Sequence, residues 1–466
     1  MAESEDDLAT AVAHAREGRA LADRHDDRAA IECYRAALPP AERACAAEGT
    51  DDHIRFVVYL HDMLGVLTLG QSWLDDAEHH FSAALRLSRE REPGGTDEAK
   101  FVNNLGAVAR ARGDQRAALR WYREALEIAG RIEPPPDAIG SYLSNIGTAL
   151  LALGGLDHAL AFFRRALEID ERVDPAAAAT DRSLIGSVLI EYGDLEDARE
   201  HYEAALAFHE AHDPGSFETA RELVNVGYVH RLTGNLDEAL RHYLRALDID
   251  QRIAPDGAET AADLNNIARV YRERGDVDRC RAYLVRAVEI SRRVAPRSQR
   301  TAVRLTNLAE LDRQAGRLEE ARRGFTEALR IDEAVAPQSL ETVRDLNNLA
   351  ALALADHDLD TARDLTRRAL DISLRVAPRS DNTANSYGTL AAIARERGAP
   401  DVAIRWARAA LAIDRRRTPL APPTVTDLVN LAVLYGDAGD TDRAVEHYAL
   451  LLIGVLVVAI VLAIRV

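Results

Sequence analysis

Small residues recur along the chain with a period near 41 residues. One series of ten alanines and one cysteine runs from Ala30 to Ala444, and its last six steps are each 41 residues long. A second series of glycine or alanine lies twelve residues before the first, from Gly18 to Ala432. A third series of alanines lies seven residues after the first. Three series in register predict an array of about eleven repeated units in place of independent globular domains.

The apolar positions within one unit follow the period of a helix. Val102, Leu105 and Gly106 form one apolar stripe, and Ala118 and Tyr122 begin another after a short polar interval. Apolar residues spaced by three and four positions predict two amphipathic helices. The small residues let the two helices approach closely. The pattern within one unit therefore predicts an antiparallel helix pair, and its repetition predicts an all-α fold for the chain.

The interval between the two stripes has the residues of a tight turn. Gly113 suits the left-handed conformation that ends a helix, and the Asp114 side chain suits the N-cap of the next helix. The same glycine with aspartate or asparagine recurs in later units, at 193–194, 234–235, 275–276 and 439–440. Prolines recur in phase where each unit should end, at 93, 134, 175, 214, 255, 296, 337, 378 and 419.

The repeated phrase resembles that of a known family. Leu264-Asn-Asn-Ile-Ala268, followed by Gly275 and then Cys280-Arg-Ala-Tyr283, is similar to the tetratricopeptide repeat in its longer, kinesin-light-chain-like form. The resemblance covers about residues 8 to 448 and implies a right-handed superhelical solenoid. Local departures are His357 at a turn glycine and Thr366 and Ala407 at the aromatic position.

The regularity of the repeated sequence motif changes along the chain and suggests domain boundaries. We expect an irregular N-terminal repeat or cap, a divergent repeat, a regular array, a partial last repeat and a transmembrane helix. Their ranges are 1–50, 51–97, 98–423, 424–448 and 449–464.

The first helix of each unit carries a second stripe beside its packing stripe. Asn265, Arg269 and Arg272 are spaced by four and three residues, so they align on one side of the helix. The family resemblance implies that first helices line a concave groove that binds extended peptides. The candidate groove residues are Arg110, Arg231, Asn265, Arg269, Arg272, Arg313, Arg395, Asn225, Asn266, Asn307 and Asn348.

Two explanations of these arginines stay open. A groove lined with arginine would bind acidic or phosphorylated segments, because guanidinium pairs bidentately with carboxylate and phosphate. Alternatively, arginine is the ordinary solvent-facing residue of this chain and pairs with glutamates on the same helix.

A ladder of asparagines runs beside the arginines and is also open to two explanations. The amides could hold the backbone of an extended ligand, or each amide could tie one repeat to the next. The ladder comprises Asn104, Asn145, Asn225, Asn266, Asn307, Asn348 and Asn430.

Composition narrows the possible functions. The chain has 58 lysines and arginines against 76 aspartates and glutamates, a net charge of −18, which disfavours nucleic-acid binding. Three cysteines without zinc spacing predict neither a disulfide framework nor a metal site, and nucleotide-binding and hydrolase motifs are absent. His79 and His80 should point to different faces, and His201, His242 and His447 should lie at a solvent-exposed or groove-edge position. We therefore expect no catalytic residue, metal or cofactor.

The composition changes at the C-terminal end of the chain. Residues 449–464 read ALLLIGVLVVAIVLAI, with no charged side chain, and as a helix they would span about 25 Å. A C-terminal membrane anchor with the array in the cytoplasm, a helix buried by self-association, and a truncated or recombined end are three explanations. Without an anchor, the protein would be cytoplasmic.

Together these features predict a non-enzymatic adaptor or scaffold. It would bind a partner peptide or protein in the concave groove and be tethered to the membrane by its C-terminus. A peptide-sensing regulatory protein, or the repeat portion of a larger signalling protein, is the alternative.

Overall fold

The computed structural model describes residues 2–24, 26–132, 138–417 and 422–450, and their regular secondary structure is entirely α-helical. The chain divides into two compact units, Met1–His242 and Tyr243–Val466. The predicted all-α fold is confirmed.

The helices of the first unit are short and similar in length. They are α1 (Ala2–Ala22), α2 (Asp27–Glu48), α3 (Asp51–Gly70), α4 (Leu74–Arg91), α5 (Thr96–Ala111), α6 (Gln115–Ala129), α7 (Ile139–Ala152), α8 (Leu156–Val173), α9 (Pro175–Tyr192), α10 (Leu195–His212) and α11 (Phe217–Leu232). The next helix, α12 (Leu236–Ile253), contains the boundary between the units.

The second unit continues the same pattern. Its helices are α13 (Ala258–Glu273), α14 (Val277–Val294), α15 (Gln299–Gln314), α16 (Leu318–Val335), α17 (Leu340–Ala355), α18 (Leu359–Val376), α19 (Asp381–Glu396), α20 (Pro400–Arg417) and α21 (Pro422–Asp437). Residues 441–450 are also helical.

Consecutive helices pack as the predicted pairs. In the first unit α5 packs on α6 and α7 on α8, and in the second unit α13 packs on α14 and α15 on α16. The second helix of one pair then packs on the first helix of the next pair, as α6 does on α7 and α14 on α15. Each pair therefore buries one side within itself and another against its neighbour, as a repeat array requires.

The series of small residues lies where the helices are closest. Ala118, Ala159 and Ala321 are completely buried. A Cβ atom added to Gly106 would lie 2.5 Å from the Tyr122 ring, so only glycine leaves room for that ring. The close approach predicted from the small residues is confirmed.

The predicted turns form with one difference in their caps. Gly113 adopts a φ of 84°, and Asp114 accepts a hydrogen bond from the Ala117 amide at 2.9 Å. His357 takes the same left-handed conformation in place of glycine, with a φ of 60°. The expectation of an aspartate cap is wrong at Asp194, whose side chain makes no capping hydrogen bond.

A second capping device was not predicted. The Ser298 hydroxyl accepts a hydrogen bond from the Thr301 amide at 3.2 Å, and the buried Thr301 hydroxyl donates to the Ala295 carbonyl at 2.7 Å. One serine and one threonine thus satisfy a free amide and a free carbonyl where one repeat joins the next. The same device recurs with Ser216 and Thr219, Ser339 and Thr342, and Ser380 and Thr383.

The apolar C-terminal run is almost wholly outside the described residues, which end at 450. Among the helices that the structure describes, none is both long enough and apolar enough to cross a bilayer. The predicted transmembrane helix at 449–464 therefore stays a prediction.

Candidate functional site

The first helices of successive repeats contact one another and form a continuous face within each unit. In the first unit α7 contacts α9 and α9 contacts α11, and in the second unit α17 contacts α19. We call the surface formed by α13, α15, α17, α19 and α21 the first-helix face of the second unit. The predicted groove residues from Asn265 to Arg395 lie on these helices.

Arg269 and Arg272 are the most available cations of this face. Both side chains are exposed on α13, less than one turn apart. Among the described residues, neither guanidinium has a carboxylate within ion-pair distance. They border a small hollow of about 10 Å³ together with Asn307, Cys280 and Leu284. Two adjacent guanidinium groups of this kind can bind a carboxylate or phosphate bidentately.

Two other predicted arginines have acidic partners on the same face. Arg313 donates to Glu310 on its own helix at 2.6 and 2.9 Å, and Arg395 on α19 donates to Asp437 on α21 at 2.7 Å. Arg313 thus pairs with a glutamate of its own helix, as the alternative explanation expects, whereas Arg395 pairs with an aspartate of a different helix.

The other two predicted arginines lie on first helices of the first unit. Arg110 is exposed on α5, and the Arg231 guanidinium lies 5.1 Å from the centre of the Tyr228 ring. Their contact with a ligand stays a prediction.

The asparagines link successive repeats at two points. Asn145 donates to the side-chain carbonyl of Asn103 at 2.9 Å, and Asn307 donates to that of Asn265 at 3.1 Å. Asn225 instead donates to buried Glu222 at 3.0 Å within α11. These bonds support a structural role for the ladder at these positions. Asn266 and Asn348 are half-buried, and their contact with a ligand stays a prediction.

A cavity of about 120 Å³ opens between α19 and α21 of the second unit. Small residues, Gly388, Ala391 and Ala407, form part of its wall, with the predicted Arg395 and Asn430 beside them. Ala407 stands where most repeats have an aromatic ring, and the missing ring leaves the space. The cavity combines apolar wall residues with the Arg395 guanidinium, the Asn430 amide and the Asp427 carboxyl, a mixed lining that suits one side chain of a bound segment.

Pairs of buried aspartates lie between repeats, and they were not predicted. The carboxyls pair as Asp170 with Asp181, Asp250 with Asp263, Asp332 with Asp345, and Asp414 with Asp427. Burial and the neighbouring Asp250 raise the pKa of Asp263 to about 8. Burial likewise raises the pKa of Asp181, Asp345 and Asp427 to about 7. The Asp250–Asp263 pair therefore holds a proton at neutral pH, and the other three pairs bind a proton more tightly than exposed aspartates do.

The sequence contains a signal for these pairs. Aspartates at 250, 332 and 414, and at 263, 345 and 427, recur every 82 residues, which is twice the repeat length. A buried pair of aspartates thus recurs at every second junction between repeats.

The histidines differ partly from their predicted placement. His79 is exposed and His80 is buried, so the prediction that they occupy different faces is confirmed. The buried His80 places its Nδ1 atom 3.0 Å from Nδ1 of His61. The solvent or groove-edge position expected for His242 is wrong, because it is buried and stacks on His230 with ring centres 5.5 Å apart.

Several solved structures are similar to this chain in fold. RapI in its apo form is 16% identical, with a TM-score of 0.58 over 76% of this chain and 97% of that one. The apo quorum sensor NprR from B. thuringiensis is 14% identical, with a TM-score of 0.56 over 77% of this chain and 97% of that one. Kinesin light chain TPR-like repeats from Podospora anserina are 16% identical, with a TM-score of 0.38 over 43% of this chain and 96% of that one. Among curated protein sequences, none matches this chain significantly.

Family models agree with the repeat seen in the structure. The tetratricopeptide repeat model matches residues 60–131, 138–211, 218–279, 259–334 and 342–416, and a second model of the same repeat matches 428–449. These matches cover most of the chain and follow the helix pairs described above. The chain belongs to the tetratricopeptide repeat family.

Proposed function

We propose that the protein is a non-enzymatic adaptor that binds a peptide or protein segment on the first-helix face of its second unit. The observation that carries the proposal is the exposed pair Arg269 and Arg272. Among the described residues neither guanidinium has a carboxylate within ion-pair distance, although Arg272 lies close enough to Glu310 to lower the pKa of that carboxyl, and the net charge of the chain is −18. Most other arginines near this face are paired, as Arg313 and Arg395 are.

The chemistry of the face favours an acidic or phosphorylated segment. Arg269 and Arg272 would bind its carboxylates or phosphate, and the half-buried Asn266 and Asn348 on the same face would contact its backbone. The cavity at Arg395 and Asn430 would accept one side chain further along. A preformed surface of packed helices lowers the ordering cost of binding an extended segment.

A charge reversal tests this proposal. Arg269→Glu with Arg272→Glu should abolish binding to an array of acidic and phosphorylated peptides, and far-ultraviolet circular dichroism should be unchanged. Arg292→Glu with Arg293→Glu is the control for the same change of net charge. These adjacent arginines are exposed on α14, the second helix of the same repeat, and they pair with Glu327 and Asp256 respectively. Binding that survives the first variant, or that the control removes equally, would reject the proposal.

A peptide-sensing regulatory protein is the second candidate. The similarity in fold to the quorum sensor NprR favours it, since 77% of this chain aligns with 97% of that structure. Such a protein would also hold a second partner, and peptide would change the affinity for it. An unchanged affinity for the second partner with and without peptide distinguishes a simple adaptor from a sensor.

We further propose that residues 449–464 tether the protein to a membrane. The support is the unbroken apolar composition of these sixteen residues, the first two of which lie in the helix at 441–450. Sixteen residues span about 25 Å as a helix, close to the roughly 30 Å hydrocarbon core. The described repeats would then lie in the cytoplasm.

A further inference from the structure

Two buried histidines and a glutamate come together at the turn between α11 and α12, within the first unit. His230 lies near the end of α11, and Glu238 and His242 lie one turn apart on α12. One ligand atom from each residue lies within 4.8 Å of the ligand atoms of the other two. We propose that His230, Glu238 and His242 form a binding site for a divalent transition metal of the zinc class.

The donor set suits such a metal. Imidazole nitrogen and carboxylate oxygen are ordinary zinc ligands, and two histidines with one glutamate leave a fourth tetrahedral position for water. Both imidazoles are more than nine-tenths buried, which limits competition from bulk water, and the Glu238 side chain is partly exposed and gives access. Tetrahedral zinc brings its ligand atoms to about 3.3 Å from one another, so the site needs only a small contraction.

Arg241 is the charged group that faces the site. Its Nε atom donates to the Glu238 carboxylate at 3.0 Å, and its Nη2 atom lies 3.5 Å from Nε2 of His242. The hydrogen bond from Arg241 lowers the pKa of the Glu238 carboxyl. The Arg241 side chain is more than half exposed and is free to move aside when a metal neutralises Glu238.

Metal binding also requires a change in the imidazole planes. The rings of His230 and His242 are nearly parallel, with an interplanar angle of 13°. In the next repeat, Tyr271 and Tyr283 occupy the same two positions and stack at 5.5 Å and 15°. Stacking is therefore the arrangement without metal, and a shared ion requires one imidazole to rotate about its χ2 angle.

Other helix pairs of the first unit contain part of the same set. Asp197 and His201 on α10 correspond to Glu238 and His242, but Leu189 on α9 stands where His230 does. This pair supplies a natural control, because it has the acid and the histidine on the second helix without the third ligand.

Zinc titration of the whole protein against a chromophoric chelator tests the site. We expect one saturable site, a loss of affinity of at least 100-fold in His230→Gln and in Glu238→Gln, and tighter binding in Arg241→Gln. Asp197→Asn with His201→Gln should leave the affinity unchanged. The Glu238→Gln change lies at a partly exposed position, so it keeps the test valid if His230→Gln destabilises the helix pair.

Cobalt substitution gives a second readout. Co²⁺ bound by two imidazoles and a carboxylate should produce visible d–d absorption that Glu238→Gln removes and the α10 double variant retains. Zinc affinity that is equal in the wild type, His230→Gln and Glu238→Gln would overturn the proposal, as would the absence of saturable binding below about 1 mM.

Discussion

At the scale of single residues, the size of one side chain matches the size of its partner across several helix pairs. Gly147 faces the Phe163 ring, and a Cβ added there would lie 2.5 Å from the ring. Where the second helix has a smaller residue, as at Thr366 and Ala407, the first helix has alanine at the glycine position. The sequence predicts this matching because both residues belong to the periodic series. It could not predict the cavity beside Ala407, which also depends on Gly388 in the same repeat.

The tight contact at Gly147 gives a prediction about stability. Gly147→Ala should lower the free energy of unfolding by about 1–3 kcal/mol, because the Phe163 ring is enclosed and must leave its position. Gly388→Ala is the control: no atom lies within 4 Å of the added Cβ, so it should be neutral or stabilise the helix by about 0.5–1 kcal/mol. Urea unfolding followed by circular dichroism measures both. Equal effects of the two changes would contradict the prediction.

At the scale of helices, the contacts between repeats alternate in chemistry. The buried acid pairs lie at every second junction, and at the intervening junctions the corresponding positions hold His209 and Glu222, Ser291 and Arg304, and Ser373 and Ser386. Arg304, for example, donates to the Ser291 hydroxyl at 3.0 Å. Helical periodicity assigns such polar residues to the solvent. Their burial depends on the stacking of the next repeat, which a single amphipathic helix does not reveal.

The acid pair at Asp263 predicts a dependence of stability on pH. The pKa of Asp263 is about 8 in the folded protein, against 3.8 for an ordinary aspartate such as the unfolded chain contains, so the folded protein binds more protons between these values. Stability therefore falls as the pH rises from about 4 to about 8, and the loss is complete above that range. Asp263→Asn should remove the part of this loss of stability that comes from Asp263, because a neutral amide needs no proton in the buried pair.

Urea unfolding at two pH values measures this effect. Asp263→Asn should raise the free energy of unfolding by roughly 1–3 kcal/mol more at pH 8 than at pH 5, because the proton held by the folded wild type costs more as the pH rises. Asp278→Asn removes the same charge from an exposed site on α14 and is the matched control. A gain at pH 5 as large as at pH 8, or the same gain in the control, would show that the buried proton is not responsible.

At the scale of the whole molecule, the repeat period predicts the family and the order of helix pairs, but not the division into compact units. The boundary falls at His242 and Tyr243, inside α12, where the repeat phrase continues unchanged. The position of the ligand site is equally difficult to predict from the sequence. Arg272 and Arg313 occupy equivalent positions of successive first helices, yet among the described residues only Arg313 forms an ion pair with a glutamate.

The proposed tether makes a prediction about the behaviour of the full chain. The whole protein should sediment with membranes and resist carbonate extraction, whereas a chain that ends at His447 should stay in the supernatant. Val457→Arg is a sharper control, because it keeps the length and places a charge at the centre of the apolar run at a cost of about 2.5–3.5 kcal/mol. This variant should release much of the protein from membranes. If the full chain is instead recovered without membranes as an oligomer that Val457→Arg dissociates, the run serves self-association, and recovery as a soluble monomer excludes both roles.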